Sequence, residues 1–189
     1  MCIEIKDIAE IHTGVYLKSE PDADVLYLQV SDFDSEGHFK RLSVPYLKAC
    51  NVKVSHLLKN GDLLLAAKGE TNFCTVYDAD TMGKAVASSS FLVIQIKNTG
   101  NVLPEYLRWF LNRDDILKHF QTKAKVGRFL SITKAQLEET EIEIPSVEMQ
   151  HKILNVDCLQ RQSEKLVVQI AIKKRQLITF QLIRASKEI

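Results

Sequence analysis

Two polar stretches of the chain carry side chains that can pair with base edges or phosphates. Lys68-Gly69-Glu70-Thr71-Asn72 follows directly on the apolar run Leu63-Leu64-Leu65-Ala66-Ala67. Gln121-Thr122-Lys123-Ala124-Lys125-Val126-Gly127-Arg128-Phe129 mixes lysine and arginine with amide and hydroxyl groups. Lys and Arg donate to guanine edges, Asn and Gln match adenine edges, and lysines on phosphates hold a protein in register. Lys68, Thr71, Asn72, Lys123, Lys125 and Arg128 are therefore the candidate contacts. The second stretch lies in a basic tract, Lys118 to Lys134, that contains Lys118, Lys123, Lys125, Arg128 and Lys134 and no acid. Residues 1–37, in contrast, hold nine acids against Lys6 and Lys18. The net charge of +1 thus hides a local polarity suited to a phosphate backbone. The same residue types make up an ordinary solvated surface, which is the plain reading of both stretches.

Chemistry of other kinds finds little footing. The seven glycines are scattered singly, with no Gly-x-x-x-x-Gly-Lys or Gly-x-Gly-x-x-Gly loop. No Gly-x-Ser-x-Gly elbow occurs. His12, His38, His56, His119 and His151 show no His-x-x-x-His spacing, and Cys2, Cys50, Cys74 and Cys158 form no Cys-x-x-Cys pair. A resident metal or cofactor is not expected. A standalone hydrolase or transferase would have to use Ser88-Ser89-Ser90 or Lys68-Gly69-Glu70, and Cys74 is better read as a small packed apolar residue. Reduced thiols, no apolar run of the roughly 18 residues that span a membrane, and no signal-peptide pattern at Met1–Asp7 lead to the expectation of a cytoplasmic protein without a membrane partner.

The elements that must position these loops read as a mixed α/β body over residues 1–145. Ile3–Ile11 suits a strand or a short helix, and Val25–Val30, Phe73–Tyr77 and Phe91–Ile96 suit strands. Leu63–Ala67 is short and continuously apolar, as a strand buried on both faces would be. Pro104 can open a helix whose apolar face is Tyr106, Leu107, Phe110 and Leu111. A second helix follows Arg113-Asp114-Asp115, and Thr133-x-x-Gln136 is a capping box. Glu141-Ile142-Glu143-Ile144 alternates as a half-buried strand up to Pro145.

From Ser146 to Ile189 there is neither Gly nor Pro, and one long helix is expected. On a heptad with Val156 at a and Leu159 at d, the seam continues through Leu166, Ile170, Leu177 and Phe180. Only Ser163 and Lys173 interrupt it. Val167, Val168 and Ile172 widen the stripe, so burial on more than one side is expected. The plainer possibility is a helix that breaks and folds back on its own domain.

Several stretches, in order, resemble specificity subunits of type I restriction-modification systems. Gly127–Thr133, Leu137–Pro145 and Ser146–Ile153 are similar to the family junction in which an "I-x-I-P" strand meets "x-E-x-Q-x-x-I" at the start of a long helix. Lys59-Asn60-Gly61-Asp62-Leu63-Leu64 resembles its "x-x-G-D-I-L" segment, and Asp7–Gly14 its opening "x-I-x-x-I-x-x-G". The resemblance implies a non-catalytic target-recognition domain (1–145) and a conserved spacer and dimerisation helix (146–189). It implies double-stranded DNA as ligand, one half of a bipartite target as the site read, and adenine methyltransferase subunits as partners. S-adenosylmethionine would be bound by those partners, and restriction subunits would join the same assembly. The family carries two such domains and helices in tandem, whereas this sequence shows one of each, so a half-subunit that pairs as an antiparallel homodimer is expected, with a fragment of a longer chain as the alternative. The alternative is a scaffold or oligomerisation module that does not bind DNA.

Overall fold

The computed structural model describes residues 2–18, 23–40, 46–69, 71–123 and 130–186. Ten strands and six helices follow in order: β1 (Cys2–Glu4), α1 (Ile5–Ile8), β2 (Ala9–Thr13), β3 (Leu26–Leu28), β4 (Leu63–Ala66), β5 (Lys68–Gly69), β6 (Cys74–Val76), α2 (Ala79–Met82), β7 (Ala85–Ala87), β8 (Phe91–Ile96), α3 (Pro104–Leu111), α4 (Asp114–Lys123), β9 (Leu130–Ser131), α5 (Lys134–Glu138), β10 (Glu141–Glu143) and α6 (Val147–Ala185). The chain divides into two compact units, Met1–Val147 and Glu148–Ile189.

The centre of the first unit is a four-stranded antiparallel sheet ordered β2-β8-β4-β6. β4 lies inside it, and Leu63, Leu64, Leu65 and Ala66 are all fully buried. The apolar run thus is buried on both faces as its sequence suggests, but between antiparallel neighbours. One face carries an aromatic cluster. Phe33, Phe73 and Phe91 meet at centroid distances of 5.6, 5.8 and 6.2 Å, two of the three pairs edge-on, and Leu64, Ala66 and Val93 complete it. Edge-on rings gain from their quadrupoles beyond the area they bury.

α3 packs beside β6. Pro104 occupies its first turn, and Tyr106, Leu107, Phe110 and Leu111 are buried, the face that the sequence marks. The helix ends at Asn112, whose side chain accepts from Cys74 N at 2.8 Å and donates to Cys74 O at 2.7 Å. That fork replaces a strand on the outer edge of β6, which would otherwise present bare backbone groups. The capping box of α5 forms as read: Thr133 Oγ1 accepts from Gln136 N, and Gln136 Oε1 accepts from Thr133 N at 2.8 Å. β10 alternates exposed, buried, exposed and pairs with β1. The ambiguous Ile3–Ile11 stretch resolves into strand, one helical turn and strand. A parallel pair, β3 with β7, has no counterpart in the sequence reading.

The second unit holds most of α6, a helix of 39 residues, about 58 Å long at 1.5 Å per residue. Glu148 with Lys152 and Asp157 with Arg161 form pairs four residues apart. All six seam residues are more than half exposed, from Ile170 at 53% to Leu159 at 65%.

Candidate nucleic-acid interface

The path from sheet to site begins where β4 ends. Ala67 N and Lys68 N both donate to Ser90 O, at 2.9 and 3.3 Å, and Ile132 N donates to Ala67 O at 2.9 Å. β5 pairs with β9, placing Lys68 opposite Ser131 and Gly69 opposite Leu130. Three segments far apart in sequence therefore lie side by side: the loop after β4, the serine turn before β8, and the end of the basic tract. Gly69 has φ +145°, a conformation that side chains disfavour, and a Cβ there would sit 4.0 Å from Val30 Cγ1. The turn at Val30–Asp32 thus borders the same site.

Beside the β5 loop is a cleft of about 540 Å³ lined by Tyr16, Lys18, Tyr27, Gln29, Tyr46 and Ser88–Ser90, among others. Gly14 makes its floor possible. Gly14 N donates to Phe91 O and Val15 N to Ala87 O, and a Cβ on Gly14 would stand 2.2 Å from Ser88 O. Only glycine admits that approach. The Tyr27 and Tyr46 rings stack at 5.3 Å. Tyr27 Oη donates to Val15 O at 2.8 Å, and burial raises its pKa, so the phenol stays a neutral donor. Tyr16, in contrast, is 76% exposed.

The six candidate contacts divide. Lys68 and Thr71 are exposed on the loop. Asn72 is buried, and its Nδ2 donates to Ala66 O at 2.8 Å. Its Oδ1 has no partner among the described residues. The sequence reading put this amide at a base edge; the fold uses it to close the turn after β4. Lys123 is the last residue of α4. Lys125 and Arg128, like Glu70, lie outside the described residues. Tyr16, Lys18, Gln29 and Tyr46 escaped the sequence reading. Their sequence signal is a lysine two residues after an aromatic in a loop, at Tyr16-Leu17-Lys18.

Among the described residues the arrangement offers donors, hydroxyls and an exposed ring, but no activated nucleophile. Burial pushes the Cys74 thiol up to about 12, which keeps it protonated and unreactive. Ser88 Oγ is buried with no hydrogen-bond partner among the described residues, so no base is positioned to activate it. Among the described residues no cluster of His, Cys, Asp or Glu could hold a metal ion, and no helix is long and apolar enough to cross a membrane.

Comparison with known proteins gives one consistent picture. A family model described as "Type I restriction modification DNA specificity domain" matches residues 1–161. The HindI specificity subunit of a type I restriction enzyme from Haemophilus influenzae is 24% identical over 135 residues, covering 70% of this chain and 29% of that protein. Among solved structures, the HsdS subunit from Thermoanaerobacter tengcongensis aligns with TM-score 0.60 at 16% identity, over 88% of this chain and 38% of that one. The S subunit of a type I restriction-modification system from M. genitalium aligns with TM-score 0.56 at 13% identity, over 93% and 42%. The chain spans less than half the length of each of these proteins.

Proposed function

The chain belongs to the type I restriction modification DNA specificity domain family, and on that premise we propose that its first unit reads one half of a bipartite duplex DNA target while α6 brings a second reader alongside. It is a non-catalytic specificity subunit. The observation that supports the DNA reading is the β5–β9 pairing, which sets the Lys68 loop beside Leu130 and Ser131 of the basic tract. Lys68 and Thr71 are exposed on that loop, and Lys123, Lys125 and Arg128 belong to the same basic tract in sequence. Asn72 keeps the loop in shape from beneath.

Methylation of adenine, with S-adenosylmethionine, falls to partner methyltransferase subunits. The outer apolar residues of α6, Val168, Ile172, Ile178 and Leu182, are 52% exposed or more and lie off the heptad seam. They suit docking of those partners. The same exposed surface also favours the rival reading, a scaffold without DNA contact.

Duplex binding measured with the modification subunit present separates the two. A DNA reader holds duplex at modest salt, and log affinity falls linearly with log salt. Lys68→Ala, and separately Lys123→Ala, should weaken binding and flatten that slope by about one unit each. Absence of retention even with the partner present favours the scaffold; an unchanged slope in either variant makes that lysine a solvated bystander.

A further inference from the structure

The cleft beside the β5 loop has an aromatic and cationic lining, although much of it comes from the acidic first segment of the chain. Lys18 and Gln29 reach it from exposed positions, and the Tyr16 ring stands at its mouth. Tyr27 and Tyr46, stacked at 5.3 Å, belong to its wall. Ser88 brings a buried hydroxyl with no partner among the described residues, which favours a polar occupant over an apolar one. None of the acids of residues 1–37 that the structure describes lines the cleft, and Lys18 is the one cation among its described lining residues.

We propose that this cleft is a subsite for one unpaired nucleotide, with the base against the tyrosine rings and the phosphate at Lys18. This deepens the DNA-reading proposal and rests on it for the source of the nucleotide.

A nucleotide uses every part of this lining. Its base has a π face for the rings, its base edges suit the Gln29 amide and the serine hydroxyls, and its phosphate suits the Lys18 ammonium. An apolar ligand would strip water from the amide and the hydroxyls without replacing it. An inorganic anion would leave the rings unused. The volume of about 540 Å³ is that of a small-ligand site. It is too small for a double helix, whose major groove alone is about 12 Å wide. The cleft also shares a wall with the surface assigned to DNA. Ser90 lines it, and Ser90 O takes the N–H groups of Ala67 and Lys68. Val30 lines it too, with Cγ1 4.0 Å from where a Cβ on Gly69 would stand. A duplex lying on Lys68 and Thr71 therefore passes close to the cleft. A nucleotide that leaves the stack there pays for unpairing, and stacking on Tyr16 returns part of that cost.

The test has two arms. The first uses the full-length chain with the modification subunit present and two labelled duplexes of one sequence, fully paired or carrying a single bulged thymidine. The bulged nucleotide has already left the stack, so the subsite should hold that duplex about tenfold tighter than the paired one. Tyr16→Ala should weaken the bulged complex roughly 5- to 150-fold, the loss of one stacked base, and abolish the preference. Tyr16→Phe keeps the ring and should keep the preference. Tyr16 is 76% exposed, so neither change disturbs the fold. The second arm titrates the chain by itself with thymidine monophosphate in a calorimeter.

A preference for the bulge that depends on the Tyr16 ring supports the subsite and assigns its occupant to DNA. Binding of the free nucleotide that is lost in Tyr16→Ala supports the subsite with a nucleotide from solution as occupant. Equal affinity for the two duplexes, or a preference that survives Tyr16→Ala, without binding of the free nucleotide overturns the subsite and leaves DNA reading intact. Retention of neither duplex contradicts DNA reading itself, and the subsite falls with it if the free nucleotide does not bind.

Discussion

Leu166→Asp is expected to convert a paired molecule into a monomer with an intact recognition domain. Leu166 is 57% exposed within its own chain, so its loss removes little that holds the first unit together. In a pair formed through the seam it appears twice. Burying a leucine contributes roughly 1.5–3 kcal/mol, so two lost copies remove about 3–6 kcal/mol. That alone raises the dissociation constant by about 100- to 10,000-fold. The carboxylates add to the effect, since a charge taken from water without a partner costs several kcal/mol more. Ile170→Asp, on the same seam, should act alike. Sedimentation at a concentration where the wild type is dimeric checks both. Dimers of unchanged strength in either variant would mean that the seam is not the interface.

Phe91→Ala is expected to leave association alone and to cost the first unit about 3–5 kcal/mol, the usual range for a buried Phe truncated to Ala. Phe91 is fully buried on the interior strand β8 and meets Phe33 and Phe73 edge-on. A globular protein of this size is stable by about 5–15 kcal/mol, so the loss is a large fraction. At roughly 2–4 °C per kcal/mol the melting midpoint should fall by about 6–20 °C. The serine turn ends at Ser90, whose carbonyl takes the two N–H groups at the start of the β5 loop. Duplex binding should therefore weaken before the domain unfolds globally. Thermal and chemical unfolding of the variant check the first expectation. A loss below about 1 kcal/mol would show that the cavity collapses and that the aromatic cluster is not what holds the sheet.

The two variants separate what local sequence encodes from what it does not. β4, α3, α5, β10 and α6 are legible because each carries its own signal. β4 is a continuous apolar run, α3 has a proline in its first turn, α5 has a reciprocal cap, β10 alternates, and α6 is a heptad without Gly or Pro. β7 is not legible. Ala85-Val86-Ala87 has little strand preference, and it becomes a strand because β3, nearly sixty residues earlier, pairs with it and Leu57 bridges Val86 on the other side. The site shows the same division. The polar character of the two loops is visible in sequence, but the pairing of the first with Leu130 and Ser131 depends on strands of two residues each, with Lys-Gly a poor strand former. Asn72 is the instructive case. A polar residue in a polar loop suggests exposure, yet the carbonyl of Ala66 needs a donor where β4 leaves the sheet, and Asn72 supplies it. The cleft at Tyr16 and Tyr46 draws on segments spread over some seventy residues, and no local pattern could assemble it.

Two identical readers related by a two-fold axis can match only DNA that carries the same symmetry. Selection of bound fragments from random-sequence duplex, carried out with the modification subunit present, tests this directly. The expected result is an inverted repeat with a gap of fixed length, lost when Leu166→Asp separates the copies. Enrichment of two unrelated half-sites, or of one half-site without a constant gap, would contradict reading by a symmetric pair.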